Sequence, residues 1–189
     1  MLVMIEKTIM AVKDELTRSF SALEMWFARD NSLLNYRPQN GGWTIAQVLE
    51  HVSLTNHYLL ILIRKATSRA IDKSKKMDYR HMLVGYELNW DMLRAIREPG
   101  LFHWNRPDHM EPGGMILLTE VKTKLDAQLA ECLGYLQQLS NGEGILYKTM
   151  MSVNDCGKID VYHYIGFLAW HARRHVVQME KIEKEFQHK

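Results

Sequence analysis

His171 and His175 stand one helical turn apart in GFLAWHARRHVVQMEKI, where the surrounding pattern asks for leucine or valine. In an α-helix, residues i and i+4 are offset by about 40° around the axis and one turn along it, so two imidazoles at that spacing can reach a single ion. The apolar stripe of the segment runs through Val161, Ile165, Leu168, Ala172, Val176, Met179, Ile182 and Phe186, and both histidines touch it. His51, in GWTIAQVLEHV, lies beside the equivalent stripe of an earlier segment. Three neutral imidazoles on one ion would leave exchangeable positions, able to hold a thiolate, to acidify bound water or to polarise a carbonyl. Spacing alone carries little, because 9 histidines in 189 residues give about 0.4 such pairs by chance. A buried neutral histidine is also satisfied by a carbonyl or a carboxylate. It is the inward position of all three that points to a metal site, and no residue stands out as a catalytic base beside it.

Around these three, helical geometry sorts the remaining polar and aromatic residues. Gln178, three residues after His175, either points into the same cavity and hydrogen-bonds a ligand or is an ordinary polar helix position. Tyr58 falls on the face of His51 seven residues on, and Tyr164 holds the same relation to His171; either phenol can line a pocket or pack in the core. His163 is rotated away from His171 and is excluded. His57, His81, His103 and His109 read as surface histidines, and Arg173 and Arg174 as facing solvent or a dimer partner.

The elements that must position these residues are helical. Four segments carry a 3.6-residue period and none alternates at period two. The first covers residues 4 to about 29, followed by a polar, turn-forming stretch from Asn31 to Gly42. The second opens on a T-x-x-Q capping box, Thr44 to Gln47, with Trp43 before it, and runs to about Arg69. The third follows Leu118, Val121, Leu125, Leu129, Cys132, Leu136 and Leu139 and is ended by Asn141-Gly142. The fourth starts at Asp160 as N-cap and runs to about Phe186. Residues 71 to 113, with a short helix expected near Leu83 to Arg97, form a connection of about forty residues, far beyond the ~2 to 8 usual between antiparallel neighbours. The expectation is an all-α four-helix bundle with a long crossover that lets helices two and three run parallel. A di-iron bundle would need Glu-x-x-His on two helices, and the chain does not offer the pair.

Composition bounds the function. A length of 189 residues with 47% hydrophobic content suits one core, so one domain is read over residues 1–189. A net charge of +2, from 24 basic and 22 acidic residues, argues against a nucleic-acid binder. The basic run from Arg64 to Arg80 reads as a helix end and loop. Cys132 and Cys156 show no metal or redox spacing, which suits a reducing compartment. Glu6 and Lys7 interrupt the only apolar start, and no run approaches the ~18 residues of a membrane span. A soluble, cytoplasmic protein is expected.

GWTIAQVLEHV, with a tryptophan entering a capped helix and a histidine eight residues on, resembles the second helix of the DinB/YfiT-like bundle metalloproteins. The segment from Gly157 through HARRHVVQMEKI is similar to their fourth helix, with its H-x-x-x-H-x-x-Q pattern, and FHWNRPDHMEP (Phe102 to Pro112) to the approach to their third. The resemblance implies a divalent ion such as zinc or nickel held by His51, His171 and His175, with frequent dimerisation. Members with known activity include thiol-dependent S-transferases and a maleylpyruvate isomerase, each using a low-molecular-weight thiol. Three readings stay open: a metal-dependent S-transferase acting on a small molecule, a metal-dependent hydrolase, and a non-catalytic metal-binding bundle.

Overall fold

A computed structural model describes residues 2–96, 107–151 and 156–189. Four long helices form the bundle: α1 (Leu2–Glu24), α3 (Ile45–Ser74), α5 (Leu118–Gln138) and α6 (Val161–Gln187). Two short ones, α2 (Asn31–Leu34) and α4 (Trp90–Ala95), lie in the connections. Each long helix turns its apolar stripe inward. Val48, Leu49, Val52, Leu60 and Ile63 of α3 meet Val161, Ile165, Leu168 and Ala172 of α6 in a core shared with Val12 and Leu16 of α1 and Val121 and Cys132 of α5.

Side-chain pairings give the direction of the helices. Ser53 of α3 takes a hydrogen bond from Gln128 of α5, Arg64 pairs with Glu131, and Lys73 reaches the carbonyl of Leu146 beyond the end of α5. The partners rise together in number, so α3 and α5 run parallel, as the long crossover requires. Glu15–Arg173 and Arg29–Glu183 show the same for α1 and α6. Much of the basic run at the end of α3 is engaged within the chain, through Arg64, Lys73, Lys75 on Asp72 and Arg80 on Asp78.

Differences from the sequence reading are local. The first helix gives way to a 3-10 turn, Met25–Ala28, which buries Trp26. The expected loop from Asn31 to Gly42 holds the single turn of α2, which buries Leu33 and Leu34. The crossover helix is shorter than expected at Trp90–Ala95, and the Pro99-Gly100 stop and the start of FHWNRPDHMEP lie outside the described residues. A two-stranded antiparallel ribbon, β1 (Thr149–Met151) with β2 (Gly157–Ile159), corrects the absence of any strand. Three-residue strands are too short to show a period of two. Gly142, with φ +96°, closes the end of α5 by donating its N–H to Leu139 at 3.1 Å.

The start of α6 is held by a buried network. Asp160 Oδ1 accepts the backbone N–H of His163 at 3.1 Å and lies 2.9 Å from its ring Nδ1, while Oδ2 accepts the Tyr86 hydroxyl at 2.9 Å. His163 Nε2 accepts the Asn89 N–H at 3.1 Å, so one carboxylate fastens α6 to the crossover. Asp160→Ala removes an N-cap and strands the buried His163 and the half-buried Tyr86 hydroxyl, and is expected to cost about 2–4 kcal/mol in urea unfolding. A loss below ~0.5 kcal/mol, the size of an ordinary surface change, would show that the network does not anchor the helix.

Candidate metal centre

The three histidines come from two helices whose starts are fixed by caps. Thr44 Oγ1 accepts the Gln47 N–H at 3.2 Å and Gln47 Oε1 accepts the Thr44 N–H at 3.1 Å, the complete capping box. The box sets where α3 begins, and therefore which way His51, two turns on, points. The Trp43 ring lies against the His51 ring with centroids 4.7 Å apart. On α6, Asp160 performs the same service for His171 and His175.

His51, His171 and His175 converge. All are buried, at 5, 3 and 6% exposure, and each offers one ring nitrogen within 4.8 Å of the others. Nε2 of His171 is 3.1 Å from Nε2 of His175. Zinc–nitrogen bonds of about 2.05 Å at tetrahedral to octahedral angles put neighbouring donors roughly 2.9–3.4 Å apart, so this pair already has ligand spacing. The partners of the other ring nitrogens fit the same role. His51 Nδ1 is 2.8 Å from the Met110 carbonyl and His175 Nδ1 is 2.9 Å from Gln178 Oε1. Both acceptors call for a proton on Nδ1, which leaves the Nε2 lone pairs of His51 and His175 turned toward the centre.

Electrostatics keep the His171 ring neutral. Burial, then the neighbouring His175, His51 and Arg174, hold the His171 imidazole well below its ordinary value of 6.5. A neutral imidazole is the ligand form, so the fold removes most of the competition from protons near neutrality.

The crossover is strapped onto α3 beside this cluster. Glu50, adjacent to His51 and buried, accepts the N–H of Gly113 at 3.0 Å on one oxygen and that of Gly114 at 2.8 Å on the other. Gly114 has φ +72°, so turning its N–H inward there suits a residue without a Cβ. The strap brings Met110 back over α3, where its carbonyl meets His51.

A cavity of about 380 Å³ opens onto the three histidines. Its α3 wall is His51, Thr55 and Leu59, and its α6 wall is Phe167, His171, Arg174, His175 and Gln178. Trp43 and Met110 close the sides. Gln178 therefore lies at the cavity and on His175. Tyr58 is half-buried with its ring 4.2 Å from that of His109, outside the cavity lining. Tyr164 is a core residue whose hydroxyl donates to the Met150 carbonyl at 2.7 Å. The sequence alone does not single out Glu50, Thr55 and Phe167, and it sets Arg174 at solvent or a dimer contact. Thr55 and Phe167 stand four residues from His51 and His171, and Arg174 stands three after His171 and four before Gln178, so a helical wheel drawn through the histidines would have found them. The two arginines expected at solvent or a dimer contact are engaged within the chain. Arg173 pairs with Glu15 at 2.8 Å, and half-buried Arg174 faces the cavity.

A helical bundle with a three-histidine group that could bind a metal ion fits a metal-binding helical protein. The model of the DinB superfamily matches residues 15–179, and the chain belongs to that superfamily. No curated protein and no solved structure matches it. Among the described residues, no helix is long and apolar enough to cross a membrane.

His51→Ala, His171→Ala and His175→Ala are each expected to weaken zinc binding by at least ~100-fold, and Gln178→Ala by about 10- to 100-fold, in competition with a chromophoric chelator. Unchanged affinity in all four variants would remove the metal assignment. A second outcome concerns the metal-free protein. Unfolded, His171 titrates near 6.5 and folded it titrates lower, so between those values the unfolded chain binds the extra proton. Stability is therefore full above about pH 6.5 and falls as the pH drops below it. Thermal melts from about pH 8 to about pH 5 should show that decline, shallower in His171→Leu, and a flat wild-type profile would contradict it.

Proposed function

We propose that this chain is a divalent-metal-dependent enzyme that adds a low-molecular-weight thiol to a small electrophile, with zinc or nickel held by His51, His171 and His175. The observation that carries the reading is that the three imidazoles lie at the wall of an open cavity and are not enclosed on all sides. A closed, fully protein-ligated ion is the mark of a structural site, and an accessible three-histidine face is the mark of a reactive one. A divalent ion bound there supplies Lewis acidity that favours the thiolate form of a thiol near neutral pH.

The chain's own residues support the rest. Leu59, Phe167, Trp43 and Met110 give the cavity apolar walls that hold an organic substrate and exclude water from it. The nucleophilic sulfur has to come from outside the chain. Cys132 is buried in the core, which pushes its thiol up to about 12, and Cys156 is not among the cavity's lining residues. Hydrolysis would need a base to take a proton from water, and no aspartate or glutamate is among the described residues lining the cavity. Thiol addition to an activated alkene makes a smaller demand: the S–H bond and the alkene π bond break, C–S and C–H bonds form, and no oxidant or reductant is consumed. A reducing cytoplasm, where such thiols are plentiful, and a homodimeric assembly complete the proposal.

The zinc-loaded protein should accelerate the reaction of a small thiol with an activated alkene, and a chelator should return the rate to the uncatalysed one. Cobalt-substituted protein should develop a sulfur-to-metal charge-transfer band when the thiol is added. Absence of both the thiol-dependent rate and the band would end the transferase reading and move the hydrolytic and non-catalytic ones ahead of it.

A further inference from the structure

Pro107 and Met110, which wall the cavity from the crossover, belong to a strap with little apolar attachment. From Asp108 to Met115 only Pro112 is buried, and Met115 is 90% exposed, so hydrogen bonds have to do most of the holding. The strap runs against α3 toward the start of that helix: Met110 meets His51, Gly113 and Gly114 meet Glu50, and Gly114 approaches Gln47. Glu50 is 4% exposed. Burying a carboxylate is costly unless its oxygens are paired, and here the pairs are two N–H groups of one turn. A charged acceptor makes such bonds roughly twice as strong as neutral ones. The bond at the other end of the strap decides a tautomer. A carbonyl only accepts, so at 2.8 Å the Met110 oxygen requires the His51 proton on Nδ1. When the strap lifts, the carbonyl goes with it, and a share of the His51 rings then carries the proton on Nε2, where an ion has to displace it.

We infer that Glu50 is a positioning residue of the metal centre: its carboxylate latches the Met110–Gly114 strap, and the latched strap holds His51 in the tautomer that accepts an ion. Glu50 stands outside the group of converging donors and acts on the ion only through the strap. The coupling is reciprocal, because an ion that binds better with the strap down must also hold the strap down. The same latch keeps Pro107 and Met110 at the cavity, so loading the ion and closing that wall are one event. This deepens the metal-centre reading and rests on it.

Glu50→Gln keeps the shape of the side chain and removes its charge and one acceptor oxygen. In the metal-free chain at about pH 9, where imidazoles are neutral, long-range proton–nitrogen NMR should show His51 as the Nδ1–H tautomer in the wild type and as a mixture in Glu50→Gln. His175, whose Nδ1 is held by Gln178, should keep its tautomer in both, a contrast that general loosening of the fold would not produce. Zinc affinity should fall about tenfold, the low end of what losing the support of a ligand costs. Glu50→Asp, which keeps the carboxylate on a shorter arm, should recover part of that loss. A folded Glu50→Gln with the wild-type tautomer at His51, or with wild-type zinc affinity, would overturn the latch. If Glu50→Gln does not fold, amide exchange in the wild type decides. The Gly113 and Gly114 N–H groups should then exchange about tenfold more slowly with zinc bound while those of the β1–β2 ribbon keep their rates. No slowing, or equal slowing in both places, would overturn the latch. A wild type that binds no zinc would end the metal reading and this one with it; zinc binding indifferent to Glu50→Gln would end this inference alone.

Discussion

Nε2 of His171 and Nε2 of His175 face each other at 3.1 Å inside the bundle, and burial holds the His171 ring neutral. That spacing suits either a hydrogen bond from one neutral ring to the other or a cation shared by both, and His51 stands beside the pair as a third donor. The surrounding structure follows from keeping these rings close and correctly turned. Met110 and Gln178 take the Nδ1 protons of His51 and His175, so the lone pairs that remain point at one another's neighbourhood and not into the solvent.

Holding that arrangement is a task shared by the caps and the crossover. A helix of 30 residues such as α3 could rotate or slide as a rod, but the Thr44–Gln47 box and the Glu50 strap fix it at one end, next to His51. The long connection between α3 and α5 therefore does more than permit parallel helices. Its residues Met110 to Gly114 return over α3 and meet Glu50 and His51 in succession, and its earlier part supplies Tyr86 and Asn89 to the Asp160–His163 network at the start of α6. One connection thus touches both histidine-bearing helices, each through a buried charged or hydrogen-bonded group.

What could be read from residues alone followed the reach of helical periodicity. The bundle, the Thr44 and Asp160 caps, the convergence of the three histidines and the placement of Gln178 against His175 depend on spacings of three and four residues, and a single sequence contains those. The wall of the cavity follows the i, i+4, i+8 row of α3, His51, Thr55 and Leu59, which drifts around the helix away from the i+7 position. Tyr58, at the i+7 position from His51, lies on the other side of that row, against His109. Arg174, expected at solvent or a dimer contact, lines the cavity instead. Glu50 could not be found at all, since its partners are backbone N–H groups more than sixty residues away. The ribbon at Thr149–Met151 and Gly157–Ile159 was hidden by its length.

Zinc K-edge X-ray absorption on the loaded protein addresses the central claim directly, because imidazole rings leave a multiple-scattering signature distinct from carboxylate or thiolate ligands. The arrangement of His51, His171 and His175 calls for three imidazole nitrogens at about 2.0–2.1 Å with the remaining positions filled by light atoms. A spectrum showing one imidazole or none, or a shell dominated by protein sulfur at about 2.3 Å, would contradict it.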